Sequence, residues 1–383
     1  MDIPRITVLL IEDNPGDIRL IRELLREAAP TPFQVIATER LASGLELLAG
    51  GGIDVVLLDL SLAETQGLET FQRVYSRARD VPIVVLTAWA DLTVAVAALQ
   101  EGAQDYLVKG QVVSDLLVRS LRFAIERHAR HRVEAILQSN QSQFRLARQI
   151  QKRLCPAAAP VLAGFDLCGG WYPADATSGD YYDYIPMGGG RLGIVVADVC
   201  GHGLGPALLM AETRAYLRAL AQTLGDLGAI LTLTNRLLAE DIDDDRFVTL
   251  FFAELDPRAR TLRHVGAGHR SYLLPPRGQA EVILDSTTPP LGLDADPIVP
   301  LADPVLLEPG DVVVFLTDGI VEAISPADEP FGIHRALDVV RATRHRPACQ
   351  IVEALYHAVR SFTGTVRQRD DITTVILKVE PEP

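Results

Sequence analysis

Positive charge is in deficit in this chain. The 36 Lys and Arg stand against 50 Asp and Glu over 383 residues, a formal net charge of −14. A nucleic-acid partner needs basic surface to neutralise phosphates, so none is expected. An anionic membrane surface is disfavoured for the same reason. Long apolar runs are also lacking, and none approaches the ~18 residues that a membrane helix needs. The segment Met1-Asp-Ile-Pro-Arg5 has neither the basic nor the apolar part of a signal peptide, so the expected location is cytoplasmic. Cysteine is sparse. Cys155, Cys168, Cys200 and Cys349 show no metal-type spacing and read as reduced thiols. No internal repeat or low-complexity tract is visible. What is present is globular, at 48% apolar and 22% charged residues. A chain this long exceeds what one hydrophobic core serves, so at least two domains are expected.

The richest stretch is Val196-Ala-Asp-Val-Cys-Gly-His-Gly-Leu-Gly205, read with Ser178-Gly-Asp-Tyr-Tyr-Asp183 before it. A Val-rich strand from Ile194 to Ala197 leads into Asp198 and a loop with three glycines, and a helix follows. Gly179 and Asp180 sit in the same style upstream. Val312 to Thr317 is a strand leading to Asp318, and Arg369-Asp-Asp-Ile-Thr373 precedes the last strand. Four strand ends thus each deliver an aspartate. Converging carboxylates repel unless a cation lies between them, which points to hard divalent ions, Mg²⁺ or Mn²⁺.

The first third alternates strands and helices. Strands are expected at Ile6–Ile11, Phe33–Ala37, Val55–Leu58, Ile83–Leu86 and Ala103–Val108, with helices between. Five near-continuous apolar strands alternating with helices predict an α/β doubly wound parallel five-stranded sheet. Such sheets bind ligands at the C-terminal ends of their strands. There the sequence places Glu12 and Asp13, then Asp59, Thr87 and Lys109. Three acidic groups suit one Mg²⁺, and a hydroxyl and a lysine suit phosphoryl oxygens. Asp59 would be the nucleophile that takes the phosphoryl group. Acidic residues also end strands for solubility alone, but five polar groups at four strand ends in this order go beyond that.

On these residues the segment 1–123 resembles the receiver domain of two-component response regulators. The resemblance implies Glu12, Asp13 and Asp59 as Mg²⁺ ligands, with the Ser61 carbonyl as a fourth. It implies Asp59 as phospho-acceptor, Thr87, Tyr106 and Lys109 as the switch residues, and a sensor histidine kinase or phosphotransfer protein as partner. Gly110 departs from the family, which usually has proline after the lysine.

A long helical pattern runs from Val113 to Leu154, without proline or internal glycine. Val133, Leu137, Asn140, Phe144, Ala147, Gln151 and Leu154 recur at alternating spacings of four and three, the seam of a coiled coil. Residues 124–159 are therefore read as a helical connector pairing two protomers into a homodimer, with Asn140 and Gln151 as polar interruptions. One long helix packed on its own domains is the alternative. His128 and His131 read as a solvated helix face. Pro156 to Pro160 ends the helix.

Residues 160–383 are read as one α+β domain, two antiparallel sheets flanked by helices. A pair of metal ions held by aspartates can activate water and suits the hydrolysis of phosphate monoesters. No Ser–His–Asp or cysteine-phosphatase pattern is visible. The motifs Ser178–Asp183, Ala197–Gly203, Ala267-Gly-His269, Pro289–Gly292, Leu316–Gly319 and Arg369–Thr373 together resemble the PPM metal-dependent serine/threonine phosphatases, in particular the SpoIIE/RsbU branch. That resemblance implies Asp180, Asp198, Asp318 and Asp370, or its neighbour Asp371, as catalytic ligands of two Mn²⁺ or Mg²⁺, with the Val199 carbonyl as a further ligand. Cys200 stands where some relatives carry a proton-donating histidine, and His202 lies two residues further on. His269 is either a phosphate contact or a structural turn residue. The acidic run Asp241 to Asp245 reads as solvated loop.

The expectation is a response regulator in which phosphorylation at Asp59 controls a metal-dependent serine/threonine phosphatase. By the resemblance, its substrate is a phosphorylated anti-sigma-factor antagonist. The alternative is a non-catalytic regulator that uses the phosphatase fold as a binding scaffold. A kinase is disfavoured, because no Gly-rich ATP-binding motif is present.

Overall fold

The computed structural model describes residues 5–27, 32–88, 91–242, 246–276, 279–294 and 298–381. The chain divides into two compact units, Met1–Gln141 and Ser142–Pro383.

In the first unit the order is β1 (Ile6–Ile11), α1 (Pro15–Arg26), β2 (Phe33–Thr38), α2 (Leu41–Ala49), β3 (Val55–Asp59), a two-residue hairpin β4 (Ser61–Leu62) and β5 (Thr65–Gln66), α3 (Leu68–Arg77), β6 (Ile83–Thr87), α4 (Leu92–Glu101) and β7 (Asp105–Val108). The long α5 (Ser114–Leu154) follows. The five main strands are all parallel, in the order β2-β1-β3-β6-β7. β3 and β6 are fully buried along their length, because helices cover both faces of the sheet. Two apolar cores result. One lies under α2, α3 and α4, around Phe71 and Val74. The other lies under α1 and the start of α5, around Ile21, Leu117 and Leu121. Asn14 caps α1 by accepting the Gly16 N–H, and Pro15 opens the helix, where its missing N–H is no loss.

The second unit begins within α5. It contains β8 (Phe165–Tyr172), β9 (Tyr181–Pro186), β10 (Leu192–Val199), α6 (Leu204–Thr223), α7 (Leu227–Asp241), β11 (Val248–Asp256), β12 (Thr261–Ala267), β13 (Ser271–Leu274), β14 (Val282–Leu284), β15 (Val305–Leu306), β16 (Val312–Leu316), the single turn α8 (Asp318–Val321), α9 (Gly332–Thr343), α10 (Ala348–Thr363) and β17 (Ile372–Val379). Two five-stranded antiparallel sheets form, β15-β12-β11-β10-β9 and β14-β13-β16-β17-β8. Alternation along each strand supplies a core between the sheets, with Phe251, Ile194, Phe315 and Val375. The outer faces carry α6 and α7 on one sheet and α9 and α10 on the other.

Three features differ from the sequence reading. Cys168 and Cys349 form a disulfide that ties β8 to the start of α10, so two of the four cysteines are not reduced thiols; Cys155 and Cys200 are in no disulfide. β10 runs two residues beyond Ala197, so Asp198 lies within the strand rather than in the loop. The seam of α5 is divided. Val133, Leu137 and Phe144 are exposed, whereas Gln151 is buried and Leu154 packs on the core beneath α6 and α7. Gln151 is therefore not a seam interruption but a contact of the chain with itself. Of the acidic run after α7, residues 243–245 lie outside the described residues.

Candidate functional site

Two sites emerge, one in each unit. In the first, β1 ends at Ile11 and hands Glu12 and Asp13 to the sheet edge beside Asp59, the last residue of β3. Among the described residues these three form the one group of potential metal ligands whose atoms lie within 4.8 Å of one another. Lys109 reaches in from the end of β7, 2.6 Å from Glu12, 2.9 Å from Asp59 and 3.0 Å from Asp17. Burial alone would lower the lysine pKa, but hydrogen bonds to the three carboxylates outweigh it and hold the ammonium charged. Burial pushes Glu12 up, opposed by Lys109 and reinforced by Asp59. One carboxylate oxygen of Asp13 accepts the Ala63 N–H, and Asp59 Oδ1 accepts the Ser61 N–H. Thr87 is fully buried at the end of β6, its hydroxyl donating to the Ala88 carbonyl. Tyr106 is half-buried on β7 against the core under α4. The predicted residues thus share one sheet edge. Asp17, which the sequence reading did not single out, joins them as a third partner of Lys109.

In the second unit, β9 and β10 pair up to Tyr181↔Ala197. Asp180 and Asp198 directly flank that last pair on the two segments. At Gly179 a side chain is excluded, because a Cβ there would lie 2.7 Å from the Val199 carbonyl oxygen. The same approach sets Gly179, the neighbour of Asp180, beside the Asp198 carboxylate. From the opposite sheet, β16 leads into Thr317 and Asp318, and Asp370 precedes β17. Gly319 packs against the Asp371 carbonyl so closely that any Cβ would overlap it. The two chain segments bearing Asp318 and Asp370 are therefore in backbone contact.

All four aspartates have raised pKa values, with burial the largest cause at each. Burial is the largest cause at Asp198, followed by Asp318 and Asp370, and together they push it up to about 7. Burial and then Asp198 and Asp371 push the fully buried Asp180 well up. Asp318 is raised by burial and Glu322, and Asp370 by burial and Asp318. Among the described residues no Lys or Arg forms an ion pair with any of the four. Clustered carboxylates without a cationic side chain are a donor set suited to hard divalent ions.

Asp371 behaves differently from its neighbour. It is buried, and its two oxygens accept the N–H groups of Ala174 and Gly179. Its carboxylate is spent on shaping the loop that carries Asp180, whereas Asp370 is exposed beside Asp318. Cys200 accepts the Phe247 N–H through sulfur, a packing role. His202 is exposed and close enough to Asp370 to favour its charged form. His269 is buried between the Leu316 carbonyl at 2.7 Å and the Thr249 hydroxyl at 3.3 Å. Burial pushes its pKa below the usual imidazole value. Both ring nitrogens are engaged, so His269 is a structural tie between the β12–β13 turn and the end of β16. Three polar residues around Asp180 escaped the sequence reading of the site: Thr317, Ser178 as a hydrogen-bonding side chain, and Gln151.

Residues 188–380, about half of the chain, match the family model for stage II sporulation protein E. The chain belongs to the SpoIIE family. Residues 8–120 match the response regulator receiver domain. Protein IcfG of Synechocystis is 27% identical over 263 residues, 62% of this chain and 41% of that protein. The phosphoserine phosphatase RsbU of Bacillus subtilis is 26% identical over 191 residues, 50% of this chain and 56% of that protein. The chain thus spans about half the length of these relatives. Among solved structures, the SiaA-PP2C domain of Pseudomonas aeruginosa superposes with a TM-score of 0.57 at 25% identity, covering 64% of this chain and 98% of that one. The SpoIIE-family match covers most of the second unit and all of Asp198, Asp318 and Asp370, while Asp180 lies just before it. The receiver match covers every predicted residue of the first site.

Proposed function

We propose that this SpoIIE-family chain is a metal-dependent serine/threonine phosphoprotein phosphatase controlled by phosphorylation of its own receiver domain at Asp59. The observation that carries the reading is the meeting of Asp180, Asp198, Asp318 and Asp370 at adjoining strand ends, with no Lys or Arg among the described residues forming an ion pair with them. These four, with the Val199 carbonyl, would hold two Mn²⁺ or Mg²⁺. Bound ions of this kind lower the pKa of water and neutralise phosphate charge. The chain's own part is to fix the carboxylates. Thr317 donates to Asp180, Asp371 braces its loop, and His269 holds the end of β16. In the receiver, Glu12, Asp13, Asp59 and the Ser61 carbonyl would hold one Mg²⁺. Thr87 and Lys109 would meet the phosphoryl oxygens, and Tyr106 would report the change.

The phosphoryl donor is a sensor histidine kinase or a phosphotransfer protein. The substrate class is a phosphoserine or phosphothreonine protein of the anti-sigma-factor-antagonist type, supported by the likeness to RsbU. The domains are 1–123, the connector 124–159, and 160–383. The exposed apolar residues Val133, Leu137 and Phe144 support a homodimer through the connector.

The test is turnover of a phosphoserine protein with Mn²⁺, measured with and without beryllofluoride as a mimic of phospho-Asp59. The mimic is expected to change the rate, and Asp59→Asn to abolish that change. Turnover that survives Asp198→Ala would sink the phosphatase reading, and a rate indifferent to the mimic would sink the control.

A further inference from the structure

The last two turns of α5 end on the loop that carries Asp180. Gln151 is 3% exposed, and its carboxamide makes two hydrogen bonds to a single residue. Nε2 donates to the Ser178 carbonyl at 2.5 Å, and Oε1 accepts the Ser178 N–H at 3.0 Å. The Ser178 hydroxyl in turn accepts the Asp180 N–H at 3.1 Å and the Trp171 indole N–H at 3.1 Å. One turn after Gln151, the Leu154 carbonyl accepts from Arg214 Nε at 2.8 Å, so the helix end is pinned at a second point. A buried carboxamide is costly unless both its ends are satisfied, and here the backbone N–H and carbonyl of one residue satisfy both. The pairing also sets the rotation of the helix. Successive residues are about 100° apart around an α-helix, so a small turn of α5 takes Gln151 out of reach of Ser178.

We propose that Gln151 is a positioning residue for Asp180, and that the rotational setting of α5 tunes divalent-metal affinity through it. The inference rests on the reading of Asp180 as a metal ligand. Because α5 also runs on from the receiver, twist or withdrawal of the helix breaks both bonds to Ser178 together. Ser178 then no longer holds the backbone of Asp180, and the carboxylate loses its fixed direction. A helix that merely spaced two domains would need no polar pairing at this point.

The experiment is calorimetric titration of Mn²⁺ into the metal-free chain of residues 1–383. Gln151→Met keeps the side-chain length and removes both hydrogen-bonding atoms; it is expected to weaken Mn²⁺ binding at least ten-fold. Gln151→Glu keeps an acceptor for the Ser178 N–H and is expected to lose less. Ile150→Ala, on the same turn but 55% exposed, is expected to bind like the parent chain. A thermal melt of each metal-free variant establishes folding, and if Gln151→Met does not fold, the Gln151→Glu affinity decides by the same comparison. Parent-like affinity in a folded Gln151→Met chain overturns this inference alone, as does an equal loss in Ile150→Ala. Failure of the parent chain to take up Mn²⁺ overturns the metal-ligand reading and this inference with it.

Discussion

Thr317 donates its hydroxyl to Asp180 Oδ2 across 2.8 Å, joining the two sheets of the second unit at a carboxylate. Thr317 follows β16, Asp180 precedes β9, and the same hydroxyl accepts the Thr373 N–H at 3.0 Å from the start of β17. One side chain therefore connects the segments that carry Asp180, Asp318 and Asp370. Thr317→Val keeps the shape and removes the hydroxyl, leaving a buried carboxylate and a buried N–H each short of a partner. Such losses cost about 1–3 kcal/mol. A thermal melt is expected to show that destabilisation, and Mn²⁺ affinity is expected to fall several-fold. Thr317→Ser, which restores the hydroxyl, is expected to recover most of both.

The neighbours Asp370 and Asp371 separate cleanly by what their oxygens touch. Asp371 accepts two backbone N–H groups, from Ala174 and Gly179, while Asp370 is exposed beside Asp318. Asp370→Asn is expected to abolish turnover by removing a ligand, with no loss of melting temperature in the metal-free chain. Asp371→Asn replaces one of its two acceptors by an NH₂ group facing a backbone donor. It is expected to destabilise the metal-free chain by about 1–3 kcal/mol. A pair of melts in chelator, read beside turnover, checks both, and the reverse pattern would exchange the two roles.

The fold was legible where local pattern and packing agree. β1 falls on the residues expected from its apolar run, and β2, β3 and β6 begin where expected and run one residue further. β14 and β15 were not legible. They have three and two residues, and Ile283 and Leu306 are exposed edge positions with no face to bury. The Cys168–Cys349 pair is separated by 181 residues, so nothing local announces it. Asp370 and Asp371 cannot be ranked from their spacing, because only burial and the two N–H partners distinguish them. Gln151 failed in the opposite way. Its heptad position was seen, but a polar residue at such a position reads the same whether it faces a second helix or a loop of its own chain.

The disulfide between Cys168 and Cys349 makes a prediction about redox conditions. It closes most of the second unit into one covalent loop. Disulfides that close long loops contribute about 2–4 kcal/mol, chiefly by restricting the unfolded chain. Cys349→Ser is expected to lower the melting temperature of the oxidised protein. Dithiothreitol is expected to lower that of the parent chain to the same value and to leave Cys349→Ser unmoved. The helix itself should stay docked, because the Ala348 N–H is capped by Asp166 and the apolar face of α10 remains buried. A parent chain whose melt ignores the reductant would mean that the two thiols are not paired in solution.

The raised pKa of Asp198 makes the metal-free protein sensitive to pH in a direction that can be worked out. Burial, with Asp318 and Asp370, lifts its folded pKa from 3.8 to about 7. Below both values the carboxyl is neutral in the folded and the unfolded chain, and no penalty arises. Between them the folded chain keeps a proton that the unfolded chain releases, so stability falls as pH rises. Above about 7 both forms are ionised and the penalty is complete, on the order of 2 kcal/mol for this one group once solvent relaxation is allowed. Asp198→Asn removes the charge. In chelator at pH 8 it is therefore expected to melt higher than the parent chain, with the gap closing towards pH 4. Excess Mn²⁺ is expected to reverse the order at pH 8, because the parent chain gains the binding energy of an ion that the variant holds poorly. Calorimetric melts at the two pH values, with and without Mn²⁺, decide the matter. A variant less stable than the parent in chelator at pH 8 would mean that the carboxylate at 198 already has a neutralising partner, and the case for a metal between these four aspartates would fail.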